Sequence, residues 1–182
     1  EAVNDTPTLD ALSDININED DPEQTVNLTG ITAGGGETQV LSITATSDNT
    51  GLIPDPTVDF DGQSSTGTLK FEPVADQFGT ATITVTVEDG GLDNNLETAG
   101  DNAIVSQTFE VAVTSVNDPG SFSGNTSATG SEDDSAVTGT LIFTDAIDGD
   151  SAPNYTITSE SSSGTASVDA TTGAWSYTPN AN

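Results

Sequence analysis

Residues 79–89 read GTATITVTVED, with Ala81, Ile83, Val85 and Val87 at every second position and Thr82, Thr84 and Thr86 between them. In an extended chain successive side chains point to opposite faces, so this stretch carries one apolar face and one hydroxyl face. That is the pattern of a half-buried antiparallel strand. QTFEVAVTSV at 107–116 repeats it with Phe109, Val111 and Val113. Shorter candidates run over Asp14–Ile17, Thr25–Leu28, Val40–Thr46 and Thr66–Phe71. Between them lie the turn clusters AGGGE, SDNTG, DFDGQSSTG and DGGLDNN, rich in the residues that tolerate tight or left-handed backbone. No window of useful length shows the ~3.6-residue apolar period of a helix. Seven or so short strands within about 110 residues predict an all-β chain built as an Ig-like antiparallel β-sandwich.

The fold occurs more than once. VND stands at 3–5 and again at 116–118, and EDD at 19–21 and at 132–134, each pair 113 residues apart. LSIT at 41–44 is answered by YTIT at 155–158, and TGTLKFEP at 66–73 by TGAWSYTP at 172–179. Order is kept and only loop lengths drift, as in tandem copies of one domain. The expected domains are 1–118 and 119–182. The second copy stops early: after Pro179 only NAN remains, whereas the first continues past Pro73 through its two best strands. A sandwich without its last strands exposes sheet edges and half a core. Either the chain was cut in mid-domain, the simpler reading, or another chain supplies the strands. Glu1 is not a natural start, so the chain is expected to be processed or excised from something longer.

Thirty acidic residues face a single basic one, Lys70, with no Arg, for a net charge of −29. Almost nothing is available to neutralise phosphates, which excludes nucleic acid and anionic membrane surfaces as partners. The chain has no Cys and no His, so disulfides, thiolate or imidazole metal ligands and the usual nucleophile–base pairs are excluded. No apolar run approaches the roughly 18 residues needed to span a bilayer as a helix. An enzyme is the least expected class. Asp59 and Asp61 form the nearest thing to a carboxylate pair, but alternate positions in one turn do not flank a substrate.

The acids concentrate at predicted turns: NEDD at 18–21, VEDGGLDNN at 87–95, both VND triplets, SEDD at 131–134 and TDAIDGD at 144–150. Carboxylates with Asn and backbone carbonyls are the ligands of a hard cation such as Ca²⁺, which takes six to eight oxygens at about 2.3–2.6 Å. A bound divalent ion would also relieve the repulsion among crowded like charges. In DGGLDNNLETAGDN the spacing fits neither an EF-hand loop nor a Gly-rich nonapeptide β-roll.

In their order, these pieces resemble bacterial cadherin-like repeats of large surface adhesins. The second part, through GTLIFTDAIDGD, YTIT and VDATTGAWSYTPNAN, is also similar to the VCBS repeat. The resemblance implies sandwich domains in tandem with calcium at the junctions. It places Glu19, after the first strand, with Asp76 of the EPVADQFG loop at the bottom of the first domain. Asn117 and Asp118 of the linker, and Asp145 and Asp148 of the next domain's top loop, join the same site. Asp150 competes with Asp148, because that loop is one residue longer than the family pattern. Asn4, Asp5 and Asp89 are assigned to the opposite end of the first domain, where a preceding repeat would dock. The first domain has TAGGGE where the second has TDAIDGD, so its own top loop lacks the paired Asp ligands.

The expected function is therefore a non-catalytic calcium-binding structural or adhesive module, secreted or at the cell surface, whose partners are neighbouring repeats and possible surface glycans. Two alternatives stand beside it. One is a carbohydrate-binding module using Trp175 and Tyr177, although positions i and i+2 of a strand more naturally face a core. The other is an extracellular filament subunit joined by strand donation.

Overall fold

The computed structural model describes residues 3–98, 100–145 and 153–181. It is all-β, and the chain divides into two compact units, Glu1–Val116 and Asn117–Asn182. In the first unit the strands are β1 (Ile15–Asn18), β2 (Gln24–Leu28), β3 (Leu41–Ser47), β4 (Thr57–Asp59), β5 (Gly67–Phe71), β6 (Gly79–Asp89) and β7 (Ile104–Thr114). They form two sheets, ordered β1-β7-β6-β3 and β2-β5-β4, the two layers of a sandwich.

The alternation along residues 79–89 is what places β6 at the centre. Ala81, Ile83, Val85, Val87 and Asp89 point inward and are buried, while the threonines between them are half-exposed. In β7, Phe109, Val111 and Val113 are buried the same way. The facing sheet contributes Leu28, Leu69 and Phe71 to the same core, with the Phe71 and Phe109 rings 6.5 Å apart. Seventeen buried apolar side chains make up this core, and all of them lie between Leu9 and Val113.

Two features differ from the sequence expectation. A three-residue strand, β4, follows Pro54 and Pro56 and pairs with β5, where the sequence reading named no strand. The sandwich is also not wholly antiparallel, because β1 runs parallel to β7 with Ile15 opposite Val111 and Asn18 opposite Thr114. Parallel first and last strands carry the chain into this unit at one end of the sheet and out at the other. That polarity separates the two acidic clusters of the unit.

The second unit contains β8 (Ser121–Gly124), β9 (Val137–Thr144), β10 (Gly164–Val168) and β11 (Ala174–Pro179), in one sheet ordered β10-β11-β9-β8. By the sequence repeat, β11 answers β5 and β9 answers β2. This unit therefore holds one layer of a sandwich. Among its described residues none is a buried apolar side chain. Tyr155–Thr158, the counterpart of the start of β3, joins no ladder, since a strand forms only against a partner and β3 has β6.

Candidate metal centre

At the exit end of the first unit, Glu19 closes β1 and its backbone N–H donates to Thr114 O at 2.9 Å. Its side chain turns inward and is only 2% exposed. Oε1 accepts the Val116 N–H at 2.7 Å, whereas Oε2 is buried without a hydrogen-bond partner. A buried carboxylate oxygen without a partner is costly, because hydration has been lost and nothing replaces it.

Asp20 follows Glu19 in sequence, and Asp76 lies in the loop between β5 and β6. Asp76 N donates to Asp20 Oδ1 at 3.3 Å, and one carboxylate oxygen from each lies within 4.8 Å of the other. Both residues hold left-handed backbone, φ 62° at Asp20 and φ 59° at Asp76. Asp and Asn tolerate that region better than other side chains, still at some cost. Two exposed like charges at this spacing repel each other unless a cation lies near.

The opposite end of the sheet is organised around Asp89, which is 0% exposed. Its Oδ1 accepts from Gly91 N at 3.0 Å, Ala103 N at 2.9 Å and Asn4 Nδ2 at 3.0 Å. Oδ2 is buried and has no hydrogen-bond partner. Asn4 also donates to Asp101 O at 2.9 Å and accepts from Gln39 Nε2 at 2.7 Å. Asp5 N donates to Glu37 Oε2 at 3.2 Å. Buried Gln39 Oε1 and Asn102 Oδ1 are likewise without partners. The AGGGE turn lets the N-terminal segment approach this closely: a Cβ at Gly34 would lie 2.2 Å from Thr6 O, and one at Gly35 would lie 1.9 Å from Asp5 Oδ2.

The structure thus brings Asn4 and Asp89 into contact, with Asp5 held beside them through Glu37. It places Glu19, Asp20 and Asp76 at the exit end. Asn117 and Asp118 open the second unit. Asp145 follows β9 and is 8% exposed, and Asp148 and Asp150 lie outside the described residues. Sequence reasoning did not single out Asp20, Glu37, Gln39, Asp101 or Asn102. For Asp20 the signal was present in NEDD, where two acids follow the buried Glu19. For Gln39 and Asn102 nothing local in the sequence distinguishes them.

Trp175 and Tyr177 are half-buried on the same side of β11, and the Trp175 indole N–H donates to Asn125 O at 2.9 Å. Asp61 is not part of any pair: its carboxylate accepts from Ser64 Oγ at 2.6 Å, Ser64 N at 2.7 Å and Gln63 N at 3.0 Å. It caps its own turn.

No family model matches the chain, and no curated protein matches it. Solved structures do. Domains 4 and 5 of the S-layer protein SbsC match with TM-score 0.37 and 21% identity over 60% of this chain and 53% of that one. Domains 5–6 of the same protein match at 0.35 and 19% over 98% and 85%. The titin domains z1z2, solved in complex with telethonin, match at 0.38 and 14% over 97% and 82%. The chain spans about half the length of the SbsC domain 4–5 structure.

Proposed function

We propose that this chain is a non-catalytic structural module of a secreted or cell-surface repeat protein, stiffened at its inter-repeat junction by calcium. The observation that supports this reading is Glu19, buried at the exit of the first unit with Oε1 on Val116 N and Oε2 unpartnered. The donor set is all oxygen, which suits a hard divalent cation and no soft one. Glu19, Asp20 and Asp76 would hold it from the first unit. Asn117 and Asp118 follow Val116 directly, within about 8 Å of its Cα by chain geometry, and would add their oxygens. Asp145, with Asp148 or Asp150, completes the set under the cadherin-type resemblance. Asn4, Asp5 and Asp89 would serve a preceding repeat in the same way, with Gln39 and Asn102 contributing neutral oxygens.

The ion supplies positive charge where carboxylates crowd, and so couples junction geometry to calcium. A ligand bound only by the folded state stabilises it by RT ln(1 + [L]/Kd), about 4 kcal/mol at a roughly 1,000-fold excess over Kd. Millimolar calcium against a micromolar site gives that excess outside cells, and the submicromolar calcium of a cytosol does not. The test is calorimetric: calcium titration, and melting in calcium against EGTA at matched ionic strength. Saturable heat and a higher melting temperature in calcium support the reading. Melting curves that coincide in calcium and EGTA, or that respond equally to NaCl, would overturn it in favour of simple charge screening.

A further inference from the structure

Among the described residues of the second unit, no second sheet covers the apolar face of its β-sheet. Register places Val168, Trp175 and Tyr177 on one side together with Leu141 and Phe143. Phe122, opposite Phe143 in β8, shares that side and is 61% exposed. The same face in the first unit is closed. Leu69 and Phe71, which Trp175 and Tyr177 answer in the repeat, are 0% and 4% exposed. They lie in one buried cluster with Ile83 and Val85 of β6 and Phe109 and Val111 of β7. Residues 153–157 line, together with this face, a groove of about 690 Å³.

A second deficit has the same cause. Leu41–Ser47 of β3 is laddered to β6, Leu41 opposite Asp89 and Ser47 opposite Ile83, yet Tyr155–Thr158, its counterpart, joins no ladder. Among the described residues of the second unit no strand answers β6 or β7. Both the apolar face and the unladdered backbone lack the same thing.

We propose that this face docks a two-stranded antiparallel β-ribbon built like β6–β7. One side of the ribbon carries alternating Ile, Val and Phe against the face. The leading edge ladders with Tyr155–Thr158 by strand addition, and the outer side carries Thr and Ser. A second copy's sheet laid face to face would cover the apolar side chains but leave Tyr155–Thr158 unladdered. The ribbon resolves both. The first unit displays the geometry, with β6 between β3 and β7.

The experiment adds a synthetic peptide of residues 79–114 to the full chain. Trp175 is the sole tryptophan of the chain and the peptide has none, so its emission reports the second unit alone. Docking predicts a saturable shift of Trp175 emission to shorter wavelength, a severalfold fall in acrylamide quenching, and slowed amide exchange at 155–158. A peptide carrying Val85→Asp and Val111→Asp is expected to lose the effect without altering the chain. Leu141→Asp in the chain is expected to lose it too, while Thr140→Asp, on the other face of β9, retains it. Unshifted Trp175 emission at saturating peptide overturns the proposal, as does a shift that survives the aspartate peptide. A peptide-free chain that sediments as a dimer with Trp175 already shielded also overturns it, assigning the face to a second copy.

Discussion

Glu19 Oε1 accepts the Val116 N–H at 2.7 Å, joining residues 97 apart in sequence. The contact ties the end of the first strand to the second residue after the last one, so the point where the chain leaves the unit is fixed by a carboxylate. The same carboxylate has a second oxygen with no partner. Fixing the exit is one use of this side chain and the proposed cation site would be a second, and substitution separates them.

Glu19→Gln keeps an acceptor for Val116 and removes the charge, so stability in EGTA is expected to change little while the calcium-dependent rise in melting temperature disappears. Glu19→Ala leaves the Val116 N–H without its acceptor in a buried site. It is expected to cost about 1–3 kcal/mol even in EGTA. Urea unfolding with and without calcium distinguishes the two. Equal calcium responses in wild type and Glu19→Gln would remove Glu19 from the ligand set.

Asp89 gathers three donors on Oδ1, from Asn4, Gly91 and Ala103. Asp89→Ala strands all three in a buried setting and is expected to cost roughly 3 kcal/mol or more. Asn4→Ala removes one of these donors together with the Asn4 bonds to Asp101 O and Gln39 Nε2, and should cost about 1–3 kcal/mol. Because Asn4 and Asp89 are in contact, their effects should not add. A double-mutant cycle giving no coupling would contradict the contact.

Legibility in the sequence followed the range of the forces involved. The alternation in 79–89 is local, and it placed β6 and its inward face correctly. The repeat, whose offset over this stretch is 106 residues, matched Leu69 and Phe71 to Trp175 and Tyr177 without any structural knowledge. The parallel pairing of β1 with β7 was not legible, since register between strands about 96 residues apart leaves no local trace. Nor was β4, three residues long and preceded by two prolines, which exists because β5 offers an edge. Asp20 was missed because its role comes from left-handed backbone beside Asp76, a tertiary fact. YTIT matched LSIT as sequence yet forms no strand, because strand formation needs a partner that alternation alone cannot supply.

Asp61 accepts three hydrogen bonds within its own turn, led by the Ser64 hydroxyl, and these hold its pKa down at about 2 against an ordinary 3.8. A depressed carboxylate contributes stability above the unfolded value and loses it as pH falls through the folded one. The 61–64 turn should therefore stay ordered at pH 4 and loosen between pH 3.8 and about 2. A carbon-detected NMR titration of the Asp61 carboxyl measures this directly. Asp61→Asn, which retains an acceptor, should abolish that titration and leave the turn largely intact. A midpoint near 3.8 for wild type would show the turn to be open in solution.

The two units should respond unequally to the same kind of damage. Phe109 is 2% exposed in a closed core against Phe71, so Phe109→Ala removes buried area and leaves a cavity, at about 3–5 kcal/mol. Phe143 is half-buried on an uncovered sheet, with the Phe122 ring 5.2 Å away. Phe143→Ala loses that one contact and a little area, on the order of 1 kcal/mol. Scanning calorimetry with Trp175 emission as a second probe separates the transitions, since the tryptophan reports only the second unit. Phe109→Ala is expected to lower the main calorimetric transition and leave the Trp175 transition in place. Coincident shifts of both probes in both variants would mean that the units unfold as one, with the second unit's face already covered.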